Sequence, residues 1–342
     1  MKFRPFIILV LLLLAVGALW YRSEILESHT EVRAALDIGS GTTNIKIARV
    51  NPEANKIIQY LFEERVPVPF QKELSLSPNN TFGPHIQEEG IKAFNYLKNI
   101  ADDYQAKKVV AIATAAFRHA ANANTYAEEI HNKTGIDVEI ISQEQEGILS
   151  FLGAIAKSTT DPKRTIVWDI GGGSFQLTTM EKDGDFFVER GTKASIHFKN
   201  YMIEKVKEQN LQKVHSPNPL TRQQIEQGIA YGREMGENMS DRIKGLIHRG
   251  DTSLFAVGNL FYYGIRPLVG GKDTFTRQDL EKAVLNLANK TDEDVGGGPL
   301  AEVAISNAIM VLGVMEGLGI EQVTLLDVNN ADGALLYTPY WE

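Results

Sequence analysis

Ala34–Val50 reads AALDIGSGTTNIKIARV and Thr165–Met180 reads TIVWDIGGGSFQLTTM. Each is an apolar run that ends in Asp-Ile-Gly, passes through a few small residues and resumes as a second alternating run. Alternation of period two on either side of a Gly/Ser/Thr turn predicts a β-hairpin in both places, and Asp37 and Asp169 hold equivalent positions. A turn nearly free of bulky side chains leaves backbone N–H groups bare, and such groups form nests for anions, phosphate above all. An Asp at the end of the strand adds a hard oxygen ligand for Mg²⁺. Each hairpin is therefore half of a phosphate and metal clamp. A single glycine turn commonly serves only backbone geometry. Repetition at long spacing signals a duplicated unit, too large here for a solenoid, and predicts two similar domains facing each other across a cleft.

The chain has 342 residues, which suits about two domains, and its 12 prolines are scattered singly, so the domains are expected to pack closely. A net charge of −8 argues against binding of duplex nucleic acid and means that a polyanionic ligand needs a locally basic groove. The absence of cysteine excludes disulfides, thiolate metal sites, a cysteine nucleophile and a lipidated cysteine. Lys2 and Arg4 precede an uncharged stretch, Pro5–Tyr21, that contains IILVLLLLAV. This reads as a signal peptide or membrane anchor, close to the lower length limit for a span. Bulky Trp20 and Tyr21 stand where a cleavage site needs small residues, which favours the anchor. With Glu24 and Glu27 beyond the apolar block, the charge asymmetry keeps the N-terminus in the cytoplasm. The globular part is then expected outside the inner membrane, in the periplasm of a Gram-negative cell, with residues 5–21 in the membrane and a tether to residue 32.

The pass along the chain predicts a first domain over 33–160. It opens with the hairpin, continues through an irregular Glu63–Pro84 marked by Pro67, Pro69, Pro78 and Pro84, and enters a helix at Ile86–Asp103. A strand at Lys108–Thr114 leads into a turn and helix containing Phe117, Arg118 and His119. A strand at Asp137–Ser142 is followed by a helix from Gln143 through Ile155, and the βαβα alternation predicts an α/β sheet. Asp161-Pro162 breaks the pattern and opens a second domain over 161–326. Its helices are expected at Ala194–Glu208, Thr221–Leu246 with a capping box from Thr221 and Gln224, Thr276–Asn289, and Leu300–Leu318 with Pro299 at its first position. Strands are expected at Ser253–Val257 and Gln322–Leu326. A last helix at Asp332–Tyr337 crosses back, returning 327–342 to the first domain.

Glu146 follows a strand by a few residues and so stands near the carboxyl edge of a sheet, where α/β domains place ligands. Glu144 and Glu146 point in different directions on a helix, so at most one of them faces the cleft; the alternative is that both are solvated carboxylates favoured by the helix dipole. Arg118 also follows a strand and offers a forked guanidinium to phosphate, the alternative being a surface arginine. His119 is left unassigned. Neither glycine loop contains Lys or matches the nucleotide P-loop.

In this order, DIGSGTTNIKIARV, ATAAFRHAANA, EIISQEQEGILSFLGAI and VWDIGGGSFQL resemble the exopolyphosphatase and guanosine-pentaphosphate phosphatase (Ppx/GppA) family in its short two-domain form, a branch of the actin, sugar-kinase and Hsp70 superfamily. The resemblance runs from Ala34 to Leu336. It implies an α/β fold of two ribonuclease-H-like (actin-like ATPase) domains facing across a cleft, here behind an N-terminal membrane segment. By the resemblance, Glu146 matches the carboxylate that activates the attacking water and Arg118 the phosphate-binding arginine. Gly39, Ser40, Gly41, Thr42 and Thr43 match one phosphate loop, and Gly171, Gly172, Gly173 and Ser174 the other. Asp169 matches the acid associated with Mg²⁺ or another divalent cation, and Asp37 is its counterpart in the first hairpin. The implied reaction is hydrolysis of a terminal phosphoanhydride of polyphosphate or of a phosphorylated nucleotide such as guanosine pentaphosphate. An ATPase or kinase of the same superfamily and a non-catalytic phosphate-binding envelope protein are the alternatives, and a homodimer is a further expectation. Where the family's first loop usually reads Gly-Ser-Asn-Ser, Gly39-Ser40-Gly41-Thr42-Thr43 is more like the actin and Hsp70 version, and three further places depart from the family pattern. Gln176 replaces a Glu, Gly258-Asn259-Leu260 replaces Gly-Gly-Thr, and Asn330-Ala331-Asp332-Gly333 replaces Arg-Glu-Gly; all three are expected on the second-domain side of the cleft.

Overall fold

Strands β1 (Glu31–Ile38) and β2 (Thr42–Asn51) form the first hairpin, in register from Glu31 opposite Val50 to Ile38 opposite Thr43. The computed structural model describes residues 30–298 and 300–342; the expectations for residues 1–29 and for Pro299 lie outside the described residues. The chain continues through β3 (Lys56–Pro67), α1 (Phe70–Leu76), α2 (Pro84–Asp103), β4 (Val109–Ala113), α3 (Ala115–His119), α4 (Ala123–Thr134), β5 (Val138–Ile140) and α5 (Gln143–Ala156). The sheet order is β3-β2-β1-β4-β5, with β1, β4 and β5 parallel.

The second hairpin pairs β6 (Thr165–Ile170) with β7 (Phe175–Met180). It is followed by β8 (Phe186–Gly191), α6 (Ser195–Tyr201), α7 (Arg222–Glu237), α8 (Asp241–His248), β9 (Ser253–Val257), β10 (Thr274–Thr276), α9 (Arg277–Asn286), α10 (Ala301–Leu318), β11 (Gln322–Leu325) and α11 (Asn330–Leu336). This sheet runs β10-β11-β9-β6-β7-β8. Walked from β8, it repeats the first sheet strand for strand, with β10 added antiparallel at the far edge. The fold is thus α/β with two mixed sheets of one plan. β1 and β6 lie at the centre of their sheets and are covered on both faces, which is why they read as nearly unbroken apolar runs.

Several local expectations change. Glu63–Pro84 is not irregular: it holds the end of β3 and all of α1. β3 is an edge strand carrying Glu63, Glu64 and Arg65, and edge charges of this kind blunt the apolar alternation that marks a strand. β8 follows the Asp183-Gly184 turn and has no counterpart in the sequence reading. The helix expected over Thr221–Leu246 is two helices, since Ser240 caps α8 through its side chain; the Thr221 and Gln224 capping box is present. Thr276 ends β10 and caps α9.

In the second half, α10 is long and apolar enough to cross a membrane by length and composition, yet 72% of it is buried inside the protein. It crosses α7 at glycines. A Cβ on Gly313 would lie 2.7 Å from Gly232 Cα, and one on Gly232 would lie 3.0 Å from Gly313 Cα, so the backbones touch and any side chain there forces them apart. Between the sheets lie α5 and α11. Leu149 of α5 packs with Ala35, Ala48 and Ile112 of the first sheet and with Ala331, Ala334, Leu335 and Trp341, while Phe151 and Ala154 on the same helix pack with Val167 and Val257 of the second.

Candidate active site

The two glycine loops close in the same way. Gly39 N–H donates to Thr42 O at 2.9 Å, and Gly171 N–H donates to Ser174 O at 2.8 Å. Loop carbonyls are turned into the protein: Ser40 O accepts from Gln71 N–H at the start of α1, and Gly172 O accepts from Ile196 N–H at the start of α6. Among the described residues, the N–H groups of Ser40, Gly41, Gly172 and Gly173 make no backbone hydrogen bond, the condition for an anion nest. The loops also meet, since a Cβ on Gly172 would lie 3.1 Å from Ser40 Cβ, and Asn259 Nδ2 donates to Thr42 Oγ1 across the cleft at 3.3 Å.

Glu146 lies in the first turn of α5, which Ser142 and Gln145 cap reciprocally, and its side chain is buried. Its Oε2 accepts from Arg118 Nη2 at 2.7 Å, from Gln176 Nε2 at 3.3 Å and from Ser174 Oγ at 3.4 Å. Glu144 points outward to Arg190, so the two glutamates divide as their spacing predicts. Arg118 also donates from Nη1 to Ile141 O at 2.9 Å and from Nη2 to Ser174 Oγ at 3.1 Å. It is therefore no surface arginine: one guanidinium joins α3, β5, α5 and the second loop. His119 is exposed.

Asp37 and Asp169 end the central strands of the two sheets, and both are buried. Burial, then the charges of Glu146 and Asp169, push the Asp37 carboxyl up to about 7, against hydrogen bonds from the Asn330 backbone and side chain. Burial and Glu146 push Asp169 up to about 7 as well, against a hydrogen bond from Ser150. Burial also raises Glu146, with Arg118 opposing. Of these three buried carboxyl groups, only Glu146 is paired with the Arg118 guanidinium. Gly258, with φ of 88°, closes on Asp169: a Cβ there would lie 2.8 Å from Asp169 Oδ1.

No group of three or more His, Cys, Asp or Glu side chains converges among the described residues to enclose a metal. The donors present still fit Mg²⁺. Two hard carboxylates stand at strand ends with an excess of negative charge, and Asp37 Oδ1 is buried without a hydrogen-bond partner. Mg²⁺ is commonly held by one or two carboxylates, keeping waters and substrate phosphates as its other ligands.

Of the three departures, one lies elsewhere than expected. Asp332, on α11, is buried against the first sheet, 3.0 Å from Lys46 Nζ and 2.6 Å from the Tyr60 hydroxyl, so Asn330–Gly333 borders the first half. Sequence reasoning did not assign Ser150 or Asn330 to the site. Ser150 had a signal, standing four residues after Glu146 on the same helix face.

Two sheets of one plan, with paired glycine loops and acids near matching strand ends, make an α/β fold of duplicated design. Residues 46–196 match the model of the Ppx/GppA phosphatase family. The bifunctional 3-dehydroquinate synthase/phosphatase of Fusobacterium nucleatum subsp. nucleatum is 27% identical over 158 residues, 45% of this chain and 24% of the relative. The match thus spans about a quarter of that relative's length. Among solved structures, the PPX-GPPA enzyme of Aquifex aeolicus superposes with a TM-score of 0.70 at 17% identity, covering 90% of this chain and 99% of that one. An exopolyphosphatase from Cytophaga hutchinsonii gives 0.69 at 15%, covering 91% and 98%. These likenesses show the fold.

Proposed function

We propose that this protein hydrolyses a terminal phosphoanhydride of inorganic polyphosphate or of a guanosine-pentaphosphate-like nucleotide, releasing phosphate. The observation that carries the reading is Glu146, buried where Arg118, Ser174 and Gln176 converge at the second glycine loop. Loop N–H groups and Arg118 hold the terminal phosphate, and Asp37 and Asp169 hold the divalent cation. When bound, that cation neutralises phosphate oxygens, the main requirement in phosphoryl transfer. Glu146 takes the proton of the attacking water. Its raised proton affinity suits a base working near neutral pH, a role that contributes about 10²–10⁴-fold.

Each sheet with its helices is read as a ribonuclease-H-like domain, 33–160 and 161–326, with 327–342 returning to the first. The segment 5–21 is read as an inner-membrane anchor that leaves the globular part in the periplasm. Added protease should then digest the globular part in cells with a permeabilised outer membrane; protection would place it in the cytoplasm.

The enzymatic test incubates the full chain in mild detergent with Mg²⁺ and either polyphosphate, guanosine pentaphosphate or ATP, and follows phosphate release. Release from either of the first two, lost in Glu146→Gln, supports the reading. Turnover of ATP alone points to the ATPase alternative, and binding without turnover of any of them to the envelope binder.

A further inference from the structure

The two acids that end the central strands are joined by a run of side chains outside both glycine loops. Ser150, on α5, places its Oγ 2.6 Å from Asp169 Oδ2 and 2.8 Å from Asn330 Oδ1. Asn330 opens α11 and stands close enough to Asp37 for its backbone N–H and side-chain amide to favour the ionised form of that carboxyl. The run Asp169, Ser150, Asn330, Asp37 therefore begins on one sheet, passes through the two helices packed between the sheets and ends on the other. All four residues are at most 8% exposed. One oxygen of Asp37 remains without a hydrogen-bond partner.

A free carboxylate turns readily about its terminal torsion, which is broad and two-fold. A hydrogen bond to one oxygen stops that rotation and fixes the direction of the other oxygen. Here the fixing groups are themselves held by buried helices, and each end of the run depends on the other through the Ser150 and Asn330 contact.

We propose that Ser150 and Asn330 are positioning residues for the divalent cation, aiming one oxygen of Asp169 and one of Asp37 at a common ion and so tying cation affinity to the relative placement of the two halves. This rests on the reading of Asp37 and Asp169 as cation ligands. Partners that orient metal-binding side chains typically change metal affinity by about 10–100-fold when removed.

The test uses the full chain in mild detergent, without substrate, and measures Mn²⁺ binding from the electron paramagnetic resonance signal of the free ion. Ser150→Ala, which removes one oxygen from the helix, should weaken Mn²⁺ binding by about 10–100-fold while the melting temperature of the metal-free protein stays near that of the unaltered chain. Asn330→Ala carries the same expectation from the other end of the run and serves if Ser150→Ala does not fold. The double variant should lose less than the product of the single losses, because both act through one contact. Asp169→Asn separates the two layers of the argument. If it abolishes Mn²⁺ binding while Ser150→Ala and Asn330→Ala stay within twofold of the unaltered chain, the positioning role is overturned and the ligand reading stands. If Asp169→Asn leaves Mn²⁺ affinity intact, both are overturned.

Discussion

The two hairpins share a detail that their sequences do not advertise: each acid stands opposite an amide, Asp37 opposite Asn44 and Asp169 opposite Gln176. Both amides are buried, and each has an oxygen without a hydrogen-bond partner. They differ by one methylene. Gln176 reaches Glu146 through Nε2; Asn44 instead borders a cavity of about 310 Å³ that is also lined by Lys46, Arg65, Tyr263 and Asp327. A duplicated frame has thus been given unequal ends. The asymmetry originates in the helices that follow matching strands: α5 delivers Glu146 to the second loop, whereas the carboxylate that α11 brings to the first sheet, Asp332, is taken up by Lys46 and Tyr60.

The strongest way to break this comparison is Glu146→Gln. Phosphate release should fall by about 10²–10⁴-fold with the fold retained, because a proton acceptor is removed at constant volume. Turnover within a few-fold of the unaltered chain, followed by phosphate assay, would locate the base elsewhere. Arg118→Ala comes next. Hydrogen bonds to charged groups contribute about 1.5–3 kcal/mol, so KM should rise by roughly one to two orders of magnitude; an unchanged KM would remove Arg118 from phosphate binding.

The acids predict a pH dependence. Asp37 and Asp169 have folded values of about 7, above the ordinary 3.8, so the folded state holds their protons more tightly than the unfolded one. Their contribution to stability is full below about pH 4 and is lost as pH rises through about 7. In metal-free thermal melts, Asp37→Asn should match the unaltered chain near pH 4 and melt higher at pH 8, and saturating Mg²⁺ should narrow that gap. Equal melting temperatures at pH 8 would contradict the burial argument. The smallest effect sharpens the comparison itself: Gln176→Ala should lower kcat by about tenfold, in keeping with one hydrogen bond to a charged group, whereas Asn44→Ala should leave kcat nearly unchanged. Equal losses in the two variants would mean that both amides serve the reaction alike.

How far the sequence reaches is clearest at particular residues. The central strands were legible because a strand covered on both faces is apolar throughout, as in Thr165–Ile170. β3 was not, because Glu63, Glu64 and Arg65 sit at a sheet edge where charge is tolerated. The break before α8 was hidden because Thr221–Leu246 keeps helical spacing across it; only Ser240 as a cap marks the restart. In the site, Glu146 and Arg118 meet as adjacent motifs suggest. The contact between Ser150 and Asn330 spans 180 positions, and local pattern carries no information about pairs so distant.

The return of α11 also sets the order in which this protein can be completed. Arg33 Nη1 donates to Leu335 O, a partner 302 positions away, and the face of β1 around Ala35 is covered by Ala331, Ala334, Leu335 and Trp341. A chain made from its N-terminus produces that strand long before its cover. Until residues 331–341 emerge, the first half has an unfinished apolar face, and long-range contacts of this kind form slowly and leave such surfaces open to aggregation. Helix α11 therefore works as a clasp, and the first half is complete only once residues 331–341 have been added.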